Sequence, residues 1–197
     1  MPRPSVSAER RAQILAATCA EIASSGVQDL RLTDVATRAG VSSGTVHYYF
    51  DSKQALLHAA FEHNHQQSLD RRAAILAAGG TPLELLTRLV DSYAPLDPDS
   101  VSAWRVWIEL WVHGLREPEL QELNETIYGE WRRTVVGLLR DAQDQGLIVD
   151  GDPVQMANTV VGMIDGLAIQ VLLGSHNMTV DRMRLTCRAY LEGLAST

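Results

Sequence analysis

At 197 residues, 46% hydrophobic and 21% charged, the chain has an ordinary globular composition and enough length to bury a core without disulfides or metal. Its formal net charge is −7, and its two cysteines, Cys19 and Cys187, stand far apart with no partner at metal-ligand spacing. That excludes a disulfide scaffold and fits a reducing, cytoplasmic setting. No apolar run approaches the roughly 18 residues of a membrane span, and "AQILAATCA" is too short for a secretory leader, so no membrane partner is expected.

Helical periodicity runs through the whole chain and no alternating strand pattern stands out. The first six residues read as disordered. Ser7 is placed to cap a first helix with Ile14, Leu15, Thr18 and Ile22 on one stripe and Gly26 at its end. "LTDVATRA" (32–39) predicts a short second helix with Thr33 as N-cap and Gly40 as its stop. "SGTVHYYF" (43–50) predicts a third, capped by Ser42 or Ser43. Asp51 or Ser52 then caps a long fourth helix reaching about Ala78. "AAGGTP" (77–82) breaks the pattern, and five further helices are expected near 83–94, 100–115, 119–146, 153–173 and 179–195.

Charge is unevenly spread. Residues 1–60 hold six basic and five acidic side chains, a net +1, which leaves −8 for the remainder. Fields are screened over a Debye length of about 8 Å at physiological salt, so a bound polyanion senses the near face and not the total.

The second and third predicted helices carry Ala36, Gly40 and Val46. A helix-turn-helix needs a small residue where its helices cross, a glycine-compatible positive φ four residues later, and an apolar plug six further on. These three residues meet those offsets, with Val35, Ala39 and Val41 in support. The third helix then offers Ser43, Gly44, Thr45, His47, Tyr48 and Tyr49 outward. Hydroxyls suit base edges and phosphates, and Gly44 permits close approach to a duplex. Lys53 opens the fourth helix, whose dipole also favours an anion, and Thr33 offers a second clamp. A plain helical hairpin with a polar face is the alternative.

"LTDVATRAGVSSGTVHYYFDSKQALL" resembles the DNA-binding signature of TetR-type bacterial transcriptional regulators, densely over about 50 residues and in nine-helix layout over the whole chain. The resemblance implies an all-α, two-domain architecture, with a helix-turn-helix domain over 1–52 and a ligand-binding and dimerisation domain over 53–197. It implies a homodimer on a palindromic double-stranded DNA operator, released by a small-molecule effector. By motif position the DNA contacts fall on Thr33, Ser43, Thr45, His47, Tyr48, Tyr49 and Lys53, and Ser42 and Gly44 at the start of the third helix complete the expected DNA-binding set. His47 departs from the Tyr of many members. More loosely, "AWRVWIELW", "YGEWRRTVVGLL" and "MIDGLAIQVLL" resemble the C-terminal domain of the choline-sensing betaine-pathway (BetI-type) repressors, a likeness that does not identify the effector.

Trp104, Trp107, Ile108, Trp111 and Leu115 form one helix stripe, and Trp131 follows on the next helix. Two readings fit: core packing, the default for an aromatic stripe, or an aromatic-walled cavity for a cationic or apolar effector. Glu109 and Asp165 would supply countercharge. Asp165 lies in an otherwise apolar stretch and needs a partner, an Arg or a helix N-terminus. The eighth helix is apolar on more than one face and the ninth carries one apolar stripe, so these two are expected to form the dimer seam. His63 and His65 point about 200° apart on a helix and cannot share an ion, so they are expected at the surface and no metal is expected. No nucleophile–base pair or phosphate loop appears, so no cofactor and no catalysis are expected. The expected function is a ligand-responsive transcriptional regulator, most simply a repressor. The alternative is a ligand-binding or adaptor protein of the same fold without operator recognition.

Overall fold

The computed structural model describes residues 6–195; the expected disordered tail falls outside them except for Val6, which is already helical. Among the described residues the chain is all-α, with nine helices and no strand. They are α1 (Val6–Asp29), α2 (Leu32–Arg38), α3 (Ser43–Tyr49), α4 (Lys53–Ala77), α5 (Pro82–Ser92), α6 (Pro98–Gly114), α7 (Pro118–Asp144), α8 (Pro153–Leu172) and α9 (Val180–Gly193).

Local chemistry accounts for most of the boundaries. Four of the helices begin with proline, whose fixed φ and missing N–H cost nothing in a first turn. Thr81 caps α5 in a reciprocal box with Glu84: the Glu84 N–H donates to Thr81 Oγ1 (3.3 Å), and the Thr81 N–H donates to Glu84 Oε2 (2.9 Å). Asp152 and Thr179 accept from backbone N–H groups at the starts of α8 and α9.

Two expected caps are corrected. Ser7 lies inside α1. The N-cap of α2 is Arg31, in extended backbone and with no side-chain hydrogen bond, while Thr33 is the second helical residue. Thr33 is instead engaged with its own helix, its carbonyl accepting from Thr37 Oγ1 at 2.8 Å. Gly26 does interrupt α1, but the helix resumes and runs to Asp29.

The described chain forms two compact units. The first comprises residues 6–68 and 102–124, and the second residues 69–101 and 125–195. In the first, α1 packs on α2 and α2 on α3. Ile14, Ile22, Val35, Val46, Leu56 and Phe61 are fully enclosed there. The Cys19 thiol reaches the Ala60 carbonyl (3.3 Å), joining α1 to α4, and burial pushes that thiol up to about 12, so it is inert packing. In the second unit, α9 packs on α5 and α8 around Leu86, Leu89, Leu139, Ile164, Met183 and Leu191. Asp91 on α5 accepts from Arg184 Nε (3.1 Å) and from Arg188 on α9.

Candidate nucleic-acid interface and effector site

The bend between α2 and α3 closes as a Schellman motif. Gly40 takes φ +62°, its N–H donates to the Thr37 carbonyl (3.1 Å), and the Val41 N–H donates to the Ala36 carbonyl (2.9 Å). An added Cβ at Gly40 would meet nothing within 4 Å, so only its backbone conformation calls for glycine. Ala36 and Val46 are buried in the angle. Gln13 on α1 donates to the Ala39 carbonyl (2.7 Å), and the Arg11 guanidinium lies 5.3 Å over Phe50, so α1 braces both ends of the bend.

Ser42 caps α3, its Oγ accepting from the Thr45 N–H (3.0 Å) and sharing a hydroxyl contact with Thr45 (2.8 Å). Both hydroxyls therefore take part in the cap. Ser43 is half-buried, whereas Gly44, His47 and Tyr48 are exposed. Tyr48 is 81% exposed, its ring edge-on to Tyr49 at 5.1 Å. A Cβ on Gly44 would meet nothing closer than Ser42 Oγ at 3.7 Å, so the fold itself does not require glycine there. Ser52 caps α4 by accepting from the Ala55 N–H (3.0 Å), which places half-buried Lys53 at the first helical position. Thr33 is exposed on α2.

The expected effector residues divide between the units. Trp104, Trp107, Glu109 and Trp111 belong to the first, Trp131 and Asp165 to the second. Trp104 and Trp107 are 4% and 9% exposed, and Trp104 meets Trp111 edge-on at 6.0 Å. These two rings pack as core. The Glu109 carboxylate is turned toward α1, where it accepts from the Val27 N–H (2.9 Å) and lies 3.8 Å from His113. His65 packs edge-on to Trp107 at 6.1 Å and His63 contacts Gln67 at 3.0 Å; both are half-buried rather than on the surface. Among the described residues no group of three His, Cys, Asp or Glu could hold a metal.

In the second unit Asp165 accepts a 2.6 Å hydrogen bond from the Tyr128 hydroxyl. The hydrogen-bond donor that an apolar α8 demanded is thus a phenol, with the Arg132 guanidinium near enough to act on the carboxylate's charge. Burial pushes the Asp165 carboxyl up to about 6, although Tyr128 and Arg132 favour its ionised form. Burial and then the facing carboxylate push the Tyr128 hydroxyl above its usual value. Around this pair, Tyr93 stacks at a tilt on Trp131 (4.9 Å), buried Arg72 lies 5.2 Å over Trp131, and Arg132 lies 5.3 Å over Tyr128. Tyr93, Tyr128, Arg72 and Arg132 were not singled out in the sequence. The available signal was spacing: Tyr128, Trp131 and Arg132 share one helical turn, and a lone aspartate on the next helix needs a donor.

A family described as bacterial regulatory proteins, tetR family, matches residues 14–60, and one described as BetI-type transcriptional repressor, C-terminal, matches residues 82–196. The chain belongs to the TetR family. It is a ligand-responsive, DNA-binding transcriptional regulator whose C-terminal region is of the BetI type. It is 28% identical over 193 residues to the HTH-type transcriptional regulator BetI of Stenotrophomonas maltophilia, covering 98% of this chain and 96% of that one. A transcriptional regulator of Saccharomonospora viridis solved in complex with choline is 32% identical, with a TM-score of 0.91 over 96% of this chain and all of the other. A protein of Rhodococcus sp. described as a TetR-family transcriptional regulator is 27% identical, with a TM-score of 0.84 over 96% of this chain and 100% of that one. In this TetR-family regulator, no helix of the described residues is long and apolar enough to cross a membrane.

Proposed function

We propose that the regulator is a repressor that binds a palindromic operator as a homodimer, through α3 with support from α2 and the start of α4, and leaves it when a small cation binds the second unit. It acts by binding and not by catalysis. The working division is a DNA-binding domain over 1–52 and an effector and dimerisation domain over 53–197. Gly44, His47, Tyr48 and Tyr49 face the groove, and Thr33 and Lys53 hold phosphates. Ser42 and Thr45 set the geometry of the α3 start, with Ser43 beside them.

The observation that carries the effector reading is the Tyr128–Asp165 pair, whose phenol ring already carries the Arg132 guanidinium over its face. Arg132 is exposed enough to swing out, its side chain 40% accessible, whereas Arg72 is only 4% exposed and fixed. A quaternary ammonium that displaces Arg132 meets the Tyr128 face and the Asp165 carboxylate together, the two features that recognise such cations. The choline bound by the Saccharomonospora viridis relative is a cation of this class. Calorimetric titration with choline tests the reading. Asp165→Asn and Tyr128→Ala each weaken binding at least about 10-fold, and Arg132→Ala strengthens it. Equal affinity in all four proteins removes the site from the account.

The dimer reading rests on α8. Gly162 and Gly166 are exposed, an added Cβ at either meets nothing within 4 Å, and Leu173 at the end of the same face is 80% exposed. A small-residue face flanked by unburied apolar side chains fits a second copy of α8 across a twofold axis, with α9 alongside.

A further inference from the structure

The break in α1 is mended from another helix. Gly26 takes φ 78° and ψ 168°, a combination open essentially to glycine alone, so the helical ladder is interrupted at this point. In an unbroken helix the Val27 N–H would donate to the carbonyl four residues back, that of Ala23. Here each member of that pair is taken over by α6. The Val27 N–H donates to Glu109 Oε2 at 2.9 Å, and the Ala23 carbonyl accepts from Arg105 Nη1 at 3.4 Å. Arg105 and Glu109 are four residues apart, so they stand on one face of α6 and bracket the break from both sides. His113, one turn further, lies 3.8 Å from Glu109 and 3.1 Å from Glu117. A Cβ on Gly26 would come within 3.3 Å of Glu109 Oε1, so any other residue would press on this carboxylate besides straining φ.

Unbroken helix would have satisfied the same backbone groups at no cost. The break gives up that local solution and makes α1 depend on α6. Val27 and Leu30 are buried, and Arg31, the N-cap of α2, follows directly. The Val27 peptide therefore sets where α2, and with it the Schellman bend and α3, begins. We propose that Glu109, with Arg105, is a positioning residue for DNA binding: it hooks α6 onto the break in α1 and so fixes the orientation in which the helix-turn-helix is presented. The proposal rests on the DNA-binding reading and assigns Glu109 a task other than holding an effector.

The test uses the full-length regulator and an operator enriched by the wild type from a random duplex pool. Glu109→Ala, with its fold checked by circular dichroism and thermal melting, binds that operator at least 5-fold more weakly. Glu109→Gln, whose side-chain carbonyl still accepts from Val27, stays within about 2-fold of wild type. Amide exchange at residues 27–35 rises in the alanine variant only. A merely structural role would lower the melting temperature without separating Gln from Ala in operator affinity. Should Glu109→Ala fail to fold, Arg105→Ala, at an exposed position, is compared in its place. A folded variant that keeps wild-type affinity, or a Gln variant as weak as Ala, overturns the hook alone. If the wild type enriches no sequence, the DNA-binding reading falls and takes the hook with it.

Discussion

Asp165 sits on an apolar helix with its carboxyl pushed up to about 6, and the sign of its effect on stability follows from that direction. The folded state holds this proton more tightly than the unfolded chain does, so its contribution to stability is fully present below the unfolded value near 4 and is lost as pH rises through about 6. Asp165→Asn keeps an acceptor for Tyr128 and has no proton to lose. It should therefore raise stability by about 1–2 kcal/mol at pH 7.5 and by almost nothing at pH 4, as read by chemical denaturation at the two pH values. A cation needs the ionised carboxylate, so choline affinity should fall as pH drops below about 6. Asp91 works in the opposite sense. Burial disfavours its charge, but Arg184 and Arg188 more than offset this and hold it below its usual range. Asp91→Asn should lower stability at pH 7, with the deficit shrinking in acid. On the DNA side, Tyr48 is exposed, with its ring edge-on to Tyr49. Tyr48→Ala should leave the melting temperature nearly unchanged while weakening operator binding, and Lys53→Ala should reduce the salt slope by about 1.

Element-scale features were legible wherever the physics is local. Ser42, Ser52 and Gly40 act within a few residues of themselves, and their roles as caps and turn can be read from neighbouring letters. Gly40→Ala tests the turn in isolation: with open space around the new Cβ, the cost is conformational only, about 1 kcal/mol in denaturant unfolding. Arg31 shows where local reading fails. Thr33 is the better cap by chemistry, but α2 starts two residues earlier because Leu30 and Val35 must both reach the core. The long-range pairs were not legible. Tyr128–Asp165 spans 37 residues and Val27–Glu109 spans 82, and no spacing rule connects such positions before the helices are packed. Glu109 read as spare countercharge for that reason. At the proposed seam, Gly162→Glu places a charge on an open face of α8, so it should leave helix content intact while sedimentation shows monomer in place of dimer. Persistence of the dimer would move the seam elsewhere.

At the scale of the whole molecule, an acidic chain that binds DNA is no paradox. The −7 total hides a slightly basic first 60 residues, and screening over about 8 Å lets that end be read alone. The nine-helix layout and the helix-turn-helix were readable from pattern, and the family from the resemblance of residues 32–57 to a known signature. Division into units cutting through α4, α6 and α7 was not, because a continuous helix shows no break in its sequence. An effector that shifts the operator equilibrium by about 1–3 kcal/mol would loosen binding roughly 5- to 150-fold. The most direct test of the DNA-binding reading is selection of duplex from a random pool by the wild-type protein, followed by titration of the winner against random DNA at fixed salt. A pseudo-palindrome with half-sites about one helical turn, ~34 Å, apart, bound at least about 10³-fold more tightly than random sequence, is the predicted result. No enrichment, or equal affinity for selected and random duplex, would contradict it.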